Sequence, residues 1–482
     1  MGSQDIVDGV TYCCAPTLSK YTVVSSGMKA ISEKVTLIGA GLNGPLLAIL
    51  LMRRGFSVEM YERRSDMRRT RTSAGRSINL ALSTRGIHAL QQAGLWEKMR
   101  DITIPMKGRM MHSIAGELTF QPYGKNEAEV IHSISRAELN IALMNAAEQQ
   151  GATIYFHQRC VGYDLETEEI QVRNEDTGEE INRNTKVLIG CDGAASAVRT
   201  EMVKLSHFNF SQQYLDYGYK ELTIPAGTNG ESLLEPNALH IWPRGNHMLI
   251  ALPNIDGTFA CILFLPFEGA DSFASLSTET DVIRFFQARF PDAYGLMPQL
   301  ADNYAANPTG AMVTIKCTPW HMHGRTLLLG DAAHAIVPFF GQGINCGFED
   351  CSYLVELLDR HGADWTRVFA EFEKERKVNT DAIADMAIEN FTEMRDRVAD
   401  SQFLFTKKVE LALEARYPNL FIPKYAMVTF HRIPYSVALA RGAVQQRILS
   451  ELSESIHRIE DLDWNKAERL IHRDLTPLEF QQ

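Results

Sequence analysis

Lys34-Val35-Thr36-Leu37-Ile38, followed by Gly39-Ala40-Gly41-Leu42-Asn43-Gly44, is an apolar run that leads straight into a G-x-G-x-x-G. Leu46, Leu47, Leu50 and Leu51 then recur at helical spacing, and Gly55 is placed to stop the helix. Ser57 to Glu62 reads as a second strand, which completes a βαβ start. In such a unit the first glycine makes a tight turn and the second admits a pyrophosphate. The third lets helix and strand pack closely. The helix N-terminus offers N–H groups and partial positive charge to phosphates. Pro45 is tolerated in the first helical turn, where its missing N–H costs nothing. Glu62 ends the second strand, where an acid binds ribose hydroxyls. Tyr61 precedes it, and Arg63 and Arg64 follow. The two arginines have two readings. They hold the 2′-phosphate of a nicotinamide dinucleotide in a dehydrogenase, or they flank the adenosine end of a flavin dinucleotide.

Two distant segments favour the flavin. Leu188-Ile189-Gly190-Cys191-Asp192-Gly193 is followed by Ser196 and Arg199. Leu327-Leu328-Leu329-Gly330-Asp331-Ala332-Ala333-His334 runs on into Pro338 and Gly341-Gln342-Gly343-Ile344-Asn345. Each puts an acid at the end of an apolar strand, and Asp331 suits a ribityl chain. A helix opening near Gly343 would stabilise negative charge on a reduced flavin ring. A nicotinamide dehydrogenase has no need of that second element. His334 beside Asp331 reads as structural.

Around this core the texture changes twice. Ala137 to Gln149 reads as a helix and Thr153 to Phe156 as a strand. Tyr219 to Ile224, Ala238 to Trp242, Met248 to Leu252 and Phe259 to Leu265 are strand-like, with turn signals at Arg244-Gly245-Asn246 and Asp256-Gly257. Thr326 to Leu329 returns to the core, and the chain is helical from about Asp350, broken near Pro418, Pro423 and Pro434. The expected class is α/β: a Rossmann-like dinucleotide domain, an inserted, mainly antiparallel sheet and a C-terminal helical region. The expected divisions are an N-terminal extension 1–33, the dinucleotide domain in 34–206 and 319–375, the inserted sheet in 207–318, and the helical region in 376–482.

The 482 residues carry a formal net charge of −11, which argues against a nucleic-acid partner. No apolar run reaches membrane-spanning length, and Met1 to Ser32 lacks the pattern of a signal peptide. A soluble cytoplasmic protein is expected, with room left for a homodimer. The eight cysteines include no Cys-x-x-Cys pair, so no metal site is expected.

In order and content, the three dinucleotide segments resemble the class A flavoprotein aromatic hydroxylases, and the rest of the chain resembles the kynurenine 3-monooxygenase family in particular. The stretches that carry the closer resemblance are Gly75-Arg76-Ser77-Ile78-Asn79-Leu80-Ala81-Leu82, Gln121-Pro122-Tyr123-Gly124, Leu239-His240-Ile241-Trp242-Pro243 and Pro338-Phe339-Phe340-Gly341-Gln342-Gly343. Glu389-Asn390-Phe391-Thr392-Glu393-Met394 and Tyr425-Ala426-Met427-Val428-Thr429-Phe430 complete the set. The likeness runs from about Lys34 to Arg441. It departs at Ala74-Gly75-Arg76, where the family often has arginine-glycine-arginine, and in the polar tail, where membrane-bound members are hydrophobic.

That resemblance implies FAD as cofactor, NADPH and O₂ as co-substrates, and hydroxylation of L-kynurenine to 3-hydroxykynurenine through a flavin C4a-hydroperoxide. It implies FAD contacts from Gly39, Gly41, Leu42, Asn43, Gly44, Tyr61, Glu62, Arg63, Arg64, Ala81, Arg136, Cys160, Asp192, Gly330, Asp331, Gly343, Ile344 and Asn345. Arg109 would grip the substrate carboxylate with its planar fork, helped by Tyr123, Asn390 and Tyr425. Met248, Ile250 and Leu252 alternate on one strand and would face the aromatic ring, with Leu239, Phe264, Pro338, Phe339 and Phe340 closing the slot. No acid or base is assigned. Gln342 and Asn345 are read as shaping the flavin end, and Glu393 as coupling substrate to flavin movement. Two alternatives share the flavin motifs: a hydroxylase of an anthranilate- or salicylate-like acid, and a non-catalytic flavin-binding sensor.

Overall fold

The computed structural model describes residues 33–69, 79–396, 401–454 and 456–478. Residues 1–32 of the expected N-terminal extension, the Ala74 to Ile78 stretch and the side chain of Met394 lie outside them.

Lys34–Ile38 is the expected strand, and the helix Asn43–Met52 follows the glycines. Strand Ser57–Tyr61 pairs parallel with Lys34–Ile38, and Gly55 turns between helix and strand at φ +89°. Val187–Gly190 pairs on the other side of Lys34–Ile38, and Thr326–Leu328 lies beyond it, both parallel. Thr153–Tyr155 and the short antiparallel His321–Met322 form the two edges of this six-stranded sheet. Parallel strands must be covered on both faces, which explains their unbroken apolar runs. Leu37, Leu46, Leu50, Ile189 and Leu328 are all fully buried in one core.

The second sheet has seven strands. In order they are Gly310–Thr318, Asn209–Ile224, Phe259–Pro266, Met248–Pro253, Ala238–Pro243, Gly108–His112 and Leu118–Pro122. Neighbours are antiparallel except where Ala238–Pro243 meets Gly108–His112 in parallel, Leu239 opposite Arg109. The last two strands come from the first stretch of the chain, so the sheet is larger than the insertion 207–318 that the sequence suggested. Its two faces serve different cores. Trp242, Leu249 and Leu263 pack under helix Glu279–Arg289, whereas Met248, Ile262 and Phe264 meet the C-terminal helices.

Those helices are Trp365–Asp396, Ser401–Arg416, Lys424–Thr429, Tyr435–Ser453 and Trp464–Asp474. Pro423 and Pro434 sit at N-caps, so the prolines that break the pattern also start helices. Among the described residues no helix is long and apolar enough to cross a membrane.

Two buried histidines in this sheet make stability pH-dependent. Burial pushes His240 down to about 4, against a hydrogen bond to the Glu235 carbonyl that pulls the other way. Burial also takes His247 down to about 4. An unfolded histidine titrates near pH 6.5, so between about 6.5 and 4 the unfolded state holds more protons than the folded one. Stability therefore falls as pH falls through that window, by about 1.4 kcal/mol per unit of depression for each ring. Urea midpoints measured from pH 7 to 4.5 should decline, and His247→Gln should flatten the slope. An unchanged slope in His247→Gln would reject this assignment.

Candidate functional site

A cleft of about 430 Å³ runs between the two sheets, and most of the sequence-expected residues line it. At one end stand Gly39, Gly41, Leu42, Asn43, Tyr61, Glu62, Arg63 and Arg64. Gly39 needs its conformation: its φ is +97°, and an added Cβ would meet the Cys191 carbonyl oxygen at 2.7 Å. Gly44 does not line the cleft. It lets the helix start sit against the turn, since a Cβ there would lie 2.1 Å from the Gly39 carbonyl oxygen. Glu62 accepts from the backbone N–H of Ala40 and of Arg64, both at 2.9 Å. Its carboxylate is thus aimed by the glycine turn itself, with lone pairs left over for a ligand.

The middle of the cleft is lined by Ala81, Arg136, Cys160, Asp192, Asp331, Gly343 and Ile344. Asp192 accepts from the Ala197 N–H at 2.7 Å, while its other oxygen is buried without a partner. Burial pushes the Asp192 carboxyl above the usual range. Asp331 is exposed on the cleft side, and the protein packed around it raises its pKa in the same way. Arg199 ties the two acid-bearing turns together, donating to the Ala332 carbonyl at 2.7 Å and to that of Ala194. The helix Gly343–His361 begins at the cleft wall. Neither it nor the helix Asn43–Met52 has a side-chain cap, so the first-turn N–H groups at both helix starts have no side-chain acceptor.

Three expected residues are not among the cleft lining. Gly330 is behind the wall, and its N–H donates to Asp350 at 3.1 Å. Asn345 is fully buried and works as a clamp. It accepts from Ser83 N–H and donates to the carbonyls of Ala81 and Gly341, each at 2.8 Å. Asn390 is buried off the cleft and donates to the Phe339 carbonyl at 2.7 Å, which holds the turn Pro338–Phe340.

The far end of the cleft is apolar with one charged corner. Leu239, Met248, Ile250, Leu252, Phe264, Pro338, Phe339 and Phe340 line it, as expected. Arg109, Tyr123 and Tyr425 form the corner. The two tyrosine rings stack at 5.7 Å, and the guanidinium carbon of Arg109 lies 5.5 Å from one ring centroid and 5.0 Å from the other. Arg109 Nε and the Tyr123 hydroxyl are buried without hydrogen-bond partners, and Arg109 has no ion pair among the described residues. Burial opposes its charge, but Tyr425, Tyr123 and Glu393 outweigh this and leave its pKa above the ordinary value. Glu393 itself is half-buried and off the cleft lining.

Sequence reasoning missed several liners. Ile262 lies two residues before Phe264 on one strand and pairs with Ile250, so the same alternation could have found it. Thr429 lies one helical turn after Tyr425, with its hydroxyl buried and unpartnered. Gln158, Arg159 and Ser83 also reach the cleft, with no sequence signal for it. His334, Cys346 and Asp350 converge behind the wall in a set that could ligate a metal. Arg376 fills that space instead, donating to Asp350 at 2.7 Å and to Cys346 Sγ at 3.5 Å.

Known proteins resemble this chain in sequence and in fold. The family model described as an FAD binding domain matches residues 32–378. Kynurenine 3-monooxygenase from Myxococcus xanthus is 52% identical over 450 residues, 93% of this chain and 97% of that one. The enzyme of the same name from Xanthomonas euvesicatoria pv. vesicatoria is 47% identical over 455 residues, 94% of this chain and 99% of that one. Among solved structures, a 2-methyl-3-hydroxypyridine-5-carboxylic acid oxygenase aligns with a TM-score of 0.63 at 19% identity, covering 78% of this chain and 96% of its own. HpxO of Klebsiella pneumoniae, solved with FAD and uric acid, aligns with a TM-score of 0.61 at 19% identity, covering 79% and 92%. The structural matches speak to the fold. The sequence matches extend through the antiparallel sheet and the C-terminal helices that build the far corner of the cleft, and on that footing the chain belongs to the FAD-binding kynurenine 3-monooxygenase family.

Proposed function

We propose that this protein hydroxylates L-kynurenine to 3-hydroxykynurenine, using FAD, NADPH and O₂. The observation that carries the reading is the Arg109 corner: a guanidinium held between two tyrosines at the end of an apolar slot, with its Nε buried and unpartnered. A planar fork with a donor left over at the end of such a slot suits a carboxylate that arrives with the ligand. An aromatic amino acid supplies both the carboxylate and the ring.

The residues present fit FAD. Both uncapped helix starts open on one cleft, and the unpartnered oxygen of Asp192 and the carboxylate of Asp331 face it between them. The start of Asn43–Met52 would hold the pyrophosphate and Glu62 the ribose hydroxyls. Asp331 would take the ribityl chain, and the start of Gly343–His361 would favour negative charge on the ring system. When bound, FAD would accept hydride from NADPH and activate O₂.

The chain's own task is then to orient and to exclude water. Arg109, Tyr123 and Tyr425 anchor the carboxylate. Met248, Ile250, Ile262 and Phe264 form one floor of the slot, and Phe339 and Phe340 form the lid above it. Asn390 holds that lid through the Phe339 carbonyl. No base is needed, since the ring amine of the substrate already directs attack to the adjacent carbon.

The test is NADPH consumption by the purified flavoprotein with and without kynurenine, with the product identified by mass. Stimulation and a product heavier by one oxygen are expected. Stimulation by anthranilate or salicylate and not by kynurenine would overturn the substrate. Absence of bound FAD would overturn the cofactor.

A further inference from the structure

Gln342 precedes the helix Gly343–His361 and lines the cleft next to the Pro338–Phe340 turn. Its side chain is almost wholly buried and touches two groups. The amide oxygen accepts from the Tyr435 hydroxyl at 2.9 Å, and the amide nitrogen faces Ser83 Oγ at 3.5 Å. Tyr435 is the first residue of the helix Tyr435–Ser453 and is fully buried. The guanidinium carbon of Arg85 lies 3.9 Å over its ring. Arg85 is fixed in turn by the Glu349 carboxylate and by the carbonyls of Val428 and Ile433.

This arrangement sets the direction of the amide. A buried tyrosine hydroxyl that does not donate leaves its hydrogen unsatisfied, and a cation over the ring draws electron density from the oxygen, making it a better donor than acceptor. Ser83 Oγ can take either role, so it imposes nothing. The Tyr435 hydroxyl therefore holds the Gln342 oxygen, which leaves the NH₂ group turned toward Ser83 and the cleft.

We propose that Tyr435 is a positioning residue that fixes Gln342 as a hydrogen-bond donor on the cleft wall, between the apolar slot and the start of the helix Gly343–His361. The claim deepens the proposed function and rests on it. Tyr435 does not line the cleft. It acts from the C-terminal helices, so docking of that region sets the polarity of the cleft wall. Without it the amide is free to present its oxygen, and oxygen activated in the cleft is released as hydrogen peroxide in place of hydroxylated product.

The experiment uses the full-length FAD-loaded protein. Tyr435→Phe should lower product formed per NADPH consumed roughly five-fold, the size expected for one neutral hydrogen bond. Hydrogen peroxide should rise in step, and the kynurenine dissociation constant should stay close to that of the wild type. In a Gln342→Leu background, Tyr435→Phe should cause no further loss, whereas independent structural damage would add to it. Gln342→Glu can still accept from Tyr435 but offers no donor, so it should uncouple as Tyr435→Phe does, which covers the case where Tyr435→Phe fails to fold. Wild-type coupling in Gln342→Glu, or additive losses in the double variant, overturns the positioning role alone. A wild-type protein that ignores kynurenine brings down the proposed function and this inference with it.

Discussion

Arg109→Ala is expected to raise the kynurenine dissociation constant by a factor of roughly 30 to several thousand, the equivalent of about 2–5 kcal/mol for a desolvated charge-assisted contact. FAD should stay bound, because Arg109 stands at the far end of the cleft from the glycine turn. The free protein gives the sharper signature. Arg109 has a buried Nε without a partner and no ion pair among the described residues, so the unliganded protein leaves a donor unused there. Removing it should leave thermal stability close to that of the wild type while binding collapses. Arg109→Lys should recover little, since an ammonium cannot make the paired, planar contact with a carboxylate. Flavin absorbance changes on titration with kynurenine would report binding, and thermal unfolding would report stability. Wild-type affinity in Arg109→Ala would remove the substrate assignment. Loss of stability together with FAD would mean that the residue is structural.

The parts of this protein that were legible in the sequence are those where one residue type satisfies a local demand. Gly39 and Gly44 announce a turn because no side chain fits there, and the apolar run Lys34 to Ile38 announces a strand covered on both faces. The alternation of Met248, Ile250 and Leu252 correctly marked one face of a sheet, since side-chain direction has period two. What escaped depends on contacts between distant segments. The strand Asn209–Ile224 begins ten residues before the sequence signal at Tyr219, because its first half is exposed and has no apolar alternation. The strand Gly108–His112 lies next to Ala238–Pro243 only through a parallel pairing across most of the first domain, and nothing local in Lys107-Gly108-Arg109-Met110 encodes it. Asn345 and Asn390 illustrate the same limit at the site. Both were flagged by resemblance, yet each serves the cleft from behind, by bonding the backbone that forms its wall. Spacing cannot separate a residue that touches a ligand from one that holds the residue that does.

The second large effect is expected from Arg376→Met, which should lower unfolding free energy by about 3–6 kcal/mol, at about 1.5–3 kcal/mol for each of two charge-assisted hydrogen bonds to buried carboxylates. Arg376 donates to Asp350 at 2.7 Å and to Glu349 at 2.6 Å, and all three side chains are buried. Glu349 also holds Arg85, and Asp350 also holds His334 at 2.6 Å. The network thus joins the long C-terminal helix Trp365–Asp396 to both cofactor-facing segments. Burial disfavours the charge on His334, but Asp350 outweighs it and drives the His334 pKa well above its ordinary value. His334 is thus tied into this network through Asp350. Without Arg376, Asp350 keeps His334 and the Gly330 N–H, while Glu349 keeps Arg85, so each acid loses one of its two cations. The damage should therefore spread beyond stability. Asp350 fixes Gly330, the residue just before Asp331, so FAD should dissociate more readily and its fluorescence should appear at lower urea than the loss of helical signal. Arg376→Lys should rescue only in part, because one ammonium cannot span two carboxylates and the Cys346 carbonyl at once. Equal urea midpoints for wild type and Arg376→Met would show that the network contributes nothing net. A stability loss with FAD release still coincident with unfolding would show that it braces the fold without reaching the cofactor turn.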